Sequence, residues 1–435
     1  MRILIVAYDF PPTPSPQAIR WAYLSRELVL AGHEVHVLAP DVAGYGPGGL
    51  PELPDSISVH RVYPGPFMAF LSSRSRSKMS AQSTTSAAHS DPDRTMGLNW
   101  KGRWVERFKT LLAFLMFPDV RAEWLPWARK SLDELLRRLV PDVVVTSHEP
   151  ANSIPLGLRA KAKGFRWVAD LGDPILAPYT PFRWRSRARK LEAQVCRHAD
   201  AITVTNSPVA RLLQERHGIP SGELIVLPQG YDQSFEANVE DRIDVDLDKG
   251  LVELLYTGSF YHFRNPAHLL AAVRDSVGIR LNIASHTLPD EVRDAATAHP
   301  GKIRLLGFVP HRSVLELQRR CDLLINIAND DPVQVPGKVY EYLGSGVPIL
   351  HIGGTRSDDA ARLLVSSGAG WCVENAYPQL RERLTLLAQA KSGPVGIARG
   401  PCERSFDVTT YSWKALAAQL TDQALLAPVD ARRFG

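Results

Sequence analysis

The run Pro336-Gly337-Lys338-Val339-Tyr340-Glu341-Tyr342-Leu343-Gly344-Ser345-Gly346-Val347-Pro348 combines groups that hold a phosphate with an acid suited to hydroxyls. It lies between two strand-like runs, Asp322–Ala328 and Val347–Ile352. Proline favours the first turn of a helix, where its missing N–H costs nothing, so a helix starts near Pro336. Glycine caps helices, so it stops near Gly344-Ser345-Gly346. The backbone N–H groups of Gly337 and Lys338, with the Lys338 charge, then form a phosphate site. Glu341 follows about one turn further in and suits sugar hydroxyls. Strand, phosphate-binding helix start and inward acid point to a nucleotide-sugar pocket.

A second candidate phosphate loop is Tyr256-Thr257-Gly258-Ser259-Phe260-Tyr261-His262-Phe263-Arg264-Asn265-Pro266. Gly258 lets a ligand approach the backbone closely. Arg264 offers a bidentate fork to a diphosphate, the alternative being a solvated loop arginine. Gly307-Phe308-Val309-Pro310-His311 ends another strand and gives an apolar shelf for a nucleobase, or a plain strand-to-helix turn. Asn326 to Val335 joins strand to phosphate helix and carries Asp330 and Asp331. In the first half, His148-Glu149-Pro150-Ala151-Asn152 and Asp170-Leu171-Gly172-Asp173-Pro174 each follow a strand. An imidazole or carboxylate there can orient an acceptor hydroxyl or move its proton; a strand-end Asp can equally be a helix cap. Asp244-Val245-Asp246-Leu247-Asp248 mimics a metal motif but reads as a solvated acidic linker, and Asp91-Pro92-Asp93 lies in a loop. No Walker A loop, Gly-x-Gly-x-x-Gly or Gly-x-Ser-x-Gly is present, which weakens kinase, dehydrogenase and hydrolase readings.

The elements that must position these groups alternate short β-type runs with longer helical patterns. Strands are expected at Ile3–Ala7, Glu34–Leu38, Ser58–Val62, Asp142–Thr146, Trp167–Leu171 and Ala201–Thr205. Several are apolar throughout, as in a parallel sheet covered on both faces. The first helix carries Trp21, Leu24, Leu28 and Ala31 and ends at Gly32. The alternation restarts with Glu253–Thr257, Arg280–Ala284, Arg304–Phe308, Leu323–Ile327, Ile349–Ile352 and Trp371–Val373. The break is expected near Gly230 to Gly250, which includes the acidic, core-poor Glu236–Lys249. The expected fold class is α/β: two doubly wound Rossmann-like domains facing a central cleft, with ligand crevices at the carboxyl ends of their strands. Ser72 to Asp93 reads as a mobile loop, poor in large apolar residues. Trp100, Trp104, Phe108, Leu111, Leu112, Leu115 and Met116, mixed with basic residues, read either as a core-facing helix or as an amphipathic helix on a membrane.

Bulk composition bounds the rest. The chain of 435 residues is too long for one ordinary core, and its apolar content of 45% is ample for two. Cys196, Cys321, Cys372 and Cys402 show no paired spacing, which argues against a disulfide framework or zinc site and fits a reducing cytosol. The apolar start, Met1 to Ala7, is too short for a signal peptide, and no apolar run approaches the roughly 20 residues that span a bilayer. The net charge of +5 is locally concentrated. Arg74, Arg76 and Lys78, then Lys101, Arg103, Arg107 and Lys109, then Arg183, Arg185, Arg187, Arg189 and Lys190 suit anionic lipid or polyphosphate. No nucleic-acid-binding motif accompanies them, so nucleic acid is not an expected partner.

Over nearly its whole length the chain resembles glycosyltransferase family 4, retaining enzymes of the GT-B fold, in a bacterial surface-polysaccharide type. The resemblance rests on Pro11-Pro12 and Arg20, Ala31-Gly32-His33-Glu34-Val35, Phe117-Pro118-Asp119, Trp124-Leu125-Pro126 and Ala128. It continues through Trp167-Val168-Ala169-Asp170-Leu171-Gly172-Asp173-Pro174, where that branch usually has Arg at the Gly172 position. Leu227-Pro228-Gln229-Gly230-Tyr231-Asp232 and Tyr411-Ser412-Trp413 complete it. By position, Arg264 matches the family's basic residue on the donor diphosphate, and Glu341 the second acid of its Glu-x7-Glu motif, which holds the ribose. The family's first acid falls at Val333, its Gly-Arg pair reads Gly258-Ser259, and its glycine-rich first loop reads Pro12-Thr13-Pro14-Ser15-Pro16. Asp173 stands near an acceptor-side histidine of other members.

The resemblance implies an acceptor-side domain over residues 1–228, a nucleotide-sugar domain over 229–408 and a returning C-terminal helix over 409–435. It implies a hexosyl- or N-acetylhexosaminyl-transferase that moves a sugar from a nucleoside diphosphate sugar, the donor, to a lipid-linked or polysaccharide acceptor. Gly258, Ser259, Arg264, Phe308, Val309, Pro336, Gly337, Lys338 and Glu341 would hold the donor, and Asp173, His148 and Arg264 would act in catalysis. No metal or other cofactor is required, and the protein would work in the cytoplasm, with an anionic membrane surface as a further partner. The alternatives are a nucleotide-sugar 2-epimerase on the same fold, or a non-catalytic nucleotide-binding subunit.

Overall fold

The computed structural model describes residues 1–13, 15–43, 50–73, 116–220, 222–261, 264–329, 335–354, 358–392 and 407–426. The expected Ser-rich loop beyond Ser73, the aromatic and basic segment up to Leu115, Asp330, Asp331 and Val333 lie outside them, while Ser72 and Ser73 are described and helical. The chain divides into two compact units, Met1–Pro228 with Ala417–Gly435, and Gln229–Leu416.

The first unit is built on a seven-stranded sheet. Its strands are β1 (Arg2–Val6), β2 (Glu34–Pro40), β3 (Ser58–Val62), β4 (Val143–Ser147), β5 (Arg166–Leu171), β6 (Ala201–Val204) and β7 (Leu224–Val226). Every pairing is parallel, in the order β3-β2-β1-β4-β5-β6-β7. Because β1 and β4 are neighbours while the chain leaves them toward opposite edges, a crevice opens at their carboxyl ends. β4 is buried at every residue, which explains its apolar sequence. The helices are α1 (Pro16–Leu30), α2 (Leu125–Leu139), α3 (Ile154–Ala162), α4 (Phe182–His198) and α5 (Ser207–His217). Ser15 caps α1 by accepting from the Ala18 N–H, and Pro16 opens it. Gly32, at φ +85°, follows its end. α2 sets Ala128, Leu132, Leu135, Leu136 and Leu139 against Leu4, Val6 and Val144, each buried leucine contributing roughly 1.5–3 kcal/mol.

One buried ion pair ties this unit together. Arg20, fully buried, donates to both oxygens of Asp170 at 3.2 and 3.0 Å and to the carbonyls of Leu227 and Pro228. The Thr203 hydroxyl donates to Asp170 as well. The carboxylate of Asp170 is therefore structural.

The second unit repeats the plan. Its strands are β8 (Val252–Thr257), β9 (Ile279–Ala284), β10 (Ile303–Gly307), β11 (Leu323–Ile327), β12 (Ile349–Ile352) and β13 (Gly370–Val373). They pair in parallel in the order β10-β9-β8-β11-β12-β13, which places the reversal between β8 and β11. Its helices are α6 (Ala267–Asp275), α7 (Asp290–Ala298), α8 (His311–Arg320), α9 (Gly337–Ser345), α10 (Asp359–Ser367) and α11 (Tyr377–Ser392), and α12 (Trp413–Leu420) begins in this unit and ends in the first.

The acidic stretch Glu236–Lys249 is not a solvated linker; it belongs to the second unit. Arg280 and Arg304 donate to the Asp246 carbonyl, Arg320 to those of Ile243 and Val245, and Arg312 pairs with Asp241. Ile243 and Leu247 pack on the core of this unit. The Asp-x-Asp run is thus a strap held by its backbone.

Candidate functional site

In the second unit, α9 opens as its sequence requires. Pro336 stands at the N-cap, Gly337 is the first helical residue, and Gly346 ends the helix at φ +79°. The opening amides of a helix have no acceptor within it, so Gly337 and Lys338 present N–H groups. Tyr342, on the buried side of α9, bonds to the Thr257 N–H at 3.1 Å and to its hydroxyl at 2.8 Å. That bond fixes the helix beside the loop that leaves β8. On its other flank the helix meets Tyr231. A Cβ on Gly344 would lie 2.2 Å from the Tyr231 ring, so only glycine fits there.

The β8 loop turns at Gly258, whose φ of +92° suits glycine and above which no heavy atom lies within 4 Å. Lys338 reaches across to this loop. Its Nζ donates to the Thr257 carbonyl at 3.1 Å and sits 3.8 Å from the centre of the Tyr256 ring. Arg264, buried, donates from Nε to Asn329 and from its guanidinium to the Ser259 carbonyl, both at 3.0 Å. It lies 5.0 Å over the Tyr261 ring. Burial, with the nearby Arg264 charge, holds the Lys338 ammonium well below the usual lysine range. Two cations at one loop, Arg264 from the loop itself and Lys338 from α9, the second giving up its proton more readily, form a site that an anion would stabilise.

Glu341 lies one turn along, in a different setting. Burial pushes its carboxyl up to about 7. His311, first residue of α8, places Nε2 4.0 Å from Glu341 Oε1, and burial holds that imidazole down at about 4. The fully buried Gln318 amide approaches Glu341 and lowers its proton affinity in return, yet stays short of hydrogen-bonding geometry. Pro310 precedes α8, and Phe308 stands 45% exposed in the same turn, edge-on to His286. The structure thus groups Gly258, Ser259, Arg264, Pro336, Gly337 and Lys338 around one loop. Glu341 meets the Phe308–His311 turn through His311.

In the first unit His148 and Asp173 follow β4 and β5. His148 is buried and its ring is held at about 4, chiefly by burial; its Nδ1 has no partner. Asp173 is partly exposed and accepts from the Tyr179 hydroxyl at 2.8 Å. Of the turn His148-Glu149-Pro150, sequence reasoning singled out His148 rather than Glu149. Glu149 has a positive φ of 90°, and burial with Asp173 and Asp9 nearby pushes its carboxyl up to about 8. Among the described residues no cluster of three or more His, Cys, Asp or Glu could hold a metal ion, and no helix is long and apolar enough to cross a membrane.

Among solved structures, the UDP-GlcNAc 2-epimerase from Methanocaldococcus jannaschii superposes with a TM-score of 0.54 at 13% identity, over 96% of this chain and 98% of that one. A putative UDP-N-acetylglucosamine 2-epimerase from Listeria monocytogenes gives 0.49 at 14% identity, over 96% of this chain and 94% of the other. At such identities the M. jannaschii likeness is one of fold: two Rossmann-like domains. No curated protein matches the chain. Residues 17–230 match the family model described as a glycosyl transferase 4-like domain. Residues 17–230 thus carry a glycosyltransferase family 4-like domain, on a fold of two parallel sheets in the Rossmann order that is of GT-B type.

Proposed function

We propose that the protein is a retaining glycosyltransferase that moves a hexosyl or N-acetylhexosaminyl group from a nucleoside diphosphate sugar to a lipid-linked or polysaccharide acceptor. The observation that carries this is the pairing of Lys338 and Arg264 on the β8 loop at the opening of α9, where Lys338 lies 3.8 Å over Tyr256. Their charges, with the Gly337 and Lys338 amides, take the diphosphate and stabilise the negative charge that grows on it as the sugar leaves. No divalent metal is needed for that step. Glu341 takes ribose hydroxyls, and Phe308 and Val309 offer the apolar shelf for the base. His148 and Asp173, at strand ends of the first unit, serve the acceptor.

A cytoplasmic membrane face is the proposed workplace. The start of α4 exposes Arg183, Arg185, Arg189 and Lys190, together with Phe182, which is 88% exposed. Basic and aromatic groups along the exposed start of one helix fit an anionic lipid surface. The test of function is donor turnover by Arg264→Ala and Glu341→Ala. The reading expects both to lose nucleotide binding and rate; wild-type values in both would refute the site. Epimerisation of the donor with no acceptor present would replace transfer by the 2-epimerase reading, and nucleotide binding without turnover over many acceptors would leave a binding subunit.

A further inference from the structure

The reversal point of the first sheet lies between β1 and β4, and four polar side chains gather at their carboxyl ends. Asp9 follows β1 and is 7% exposed. Glu149 follows β4, and Asp173 follows the adjacent β5. Gln17, from the first turn of α1, is 3% exposed. A Cβ on Gly172 would lie 2.2 Å from Gln17 Nε2 and 2.9 Å from Glu149 Oε1, so the amide and the carboxyl meet over one glycine. A carboxyl cluster alone says little. Here, however, Gln17 Oε1, His148 Nδ1 and the Tyr8 hydroxyl are all buried without a partner. Each unsatisfied buried group costs roughly 1–3 kcal/mol, and Gln17, which lies beside Glu149 over Gly172, marks a place that a polar ligand completes.

We propose that Glu149, with Gln17 beside it and Asp9 and Asp173 around it, heads an acceptor subsite that takes an uncharged, hydroxyl-bearing sugar. This rests on the transferase reading and names the acceptor's chemical class. The charged groups that face Glu149 are Asp173, Asp9 and Asp170, which raise its proton affinity, and Arg121, which lowers it. Asp170 is engaged by Arg20, and Arg121 is paired with Asp119 at 2.7 Å and with Asp9 at 3.7 Å. Burial is the largest influence and keeps the carboxyl protonated up to about pH 8. A protonated carboxyl both donates and accepts, which matches a sugar hydroxyl. The neutral Glu149 offers no cation to a phosphate or carboxylate group, and the nearby Asp173 disfavours one. His148, next to it, keeps its ring neutral down to about pH 4 and adds no charge.

The test uses the full chain and saturation-transfer NMR with methyl glycosides of glucose, galactose, mannose and N-acetylglucosamine. Glucuronic acid and glucose 6-phosphate are the anionic counterparts. The expected result at pH 6.5 is binding of at least one neutral glycoside, with the anionic sugars at least tenfold weaker. Affinity should fall about tenfold per pH unit above pH 8, as for one required proton. Glu149→Gln, which mimics the protonated acid, should bind within about threefold of wild type at pH 6.5 and lose the pH dependence. Absence of binding by every neutral glycoside, equal binding of the anions, or an unchanged pH profile in Glu149→Gln would overturn the proposal. The wild-type pH profile decides even if the variant does not fold. Nucleoside diphosphate binding in the same samples reports on the second unit, so failure there strikes the transferase reading and leaves this result to stand or fall on its own.

Discussion

Replacing Lys338 by Met separates a ligand-binding role from a structural one. In the free protein Lys338 donates to the Thr257 carbonyl and lies over Tyr256, and its ammonium is held well below the usual range by burial and by Arg264. The sign follows from that. The folded chain binds this proton less tightly than the unfolded chain does. The charge therefore costs folded stability at every pH below the ordinary lysine value of about 10.4, and the cost fades as pH rises through the folded value. Lys338→Met removes the charge, so the variant should melt at or above the wild-type temperature near pH 7. Nucleotide binding should move the other way. A hydrogen bond to a charged group contributes about 1.5–3 kcal/mol, and each 1.4 kcal/mol is tenfold. UDP, GDP or ADP, whichever binds, should therefore bind about 10- to 100-fold more weakly. Calorimetry in two buffers of different ionisation enthalpy adds an independent sign. A diphosphate restores the Lys338 proton, so wild type takes up protons on binding, increasingly as pH rises, and the variant does not. Equal affinity and equal proton uptake in a folded variant would refute the reasoning.

Three further outcomes are expected. Glu341, raised from the usual glutamate value of 4.5 to about 7 by burial, binds its proton more tightly when folded, so its ionisation costs stability that is lost as pH rises from about 4.5 through 7. Glu341→Gln should match wild type in denaturant titrations below pH 4.5 and exceed it above pH 7, by on the order of 3 kcal/mol at most; parallel curves would contradict this. Gly344→Ala places a methyl 2.2 Å from the Tyr231 ring and should lose about 1–3 kcal/mol of stability, read as a lower melting temperature, with nucleotide affinity falling as α9 shifts. Reversing Arg183, Arg185, Arg189 and Lys190 to Glu should abolish co-sedimentation with phosphatidylserine vesicles at low salt, at about 1 kcal/mol per basic residue; undiminished binding would remove the surface from the account.

The sheets were legible because buried parallel strands are nearly continuous apolar runs: Leu323–Ile327 and Ile349–Ile352 carry the same bounds in sequence and structure. β7, Leu224–Val226, was missed because three residues are too few for a pattern. The opening and end of α9 were legible because proline and glycine punctuate them directly. The strap at Glu236–Lys249 was not, because what holds it is backbone carbonyls bonded to Arg280, Arg304 and Arg320, far away in sequence. Asp170 and Asp173 share one turn, and nothing local told that the first pairs with Arg20 while the second accepts from Tyr179. At His148-Glu149 the imidazole drew attention because histidine is the usual proton carrier near pH 7. Burial reverses that, pushing the histidine down to about 4 and the glutamate up to about 8.

The most direct test is product analysis by NMR after the full chain is incubated with UDP-, GDP- and ADP-sugars, with and without lipid-linked glycan acceptors. The account predicts that one donor is consumed fastest when an acceptor is present, that the new glycosidic bond keeps the donor's anomeric configuration, and that a chelator leaves the rate unchanged. Inverted product, loss of activity on chelation, or a 2-epimer formed from donor alone would contradict it.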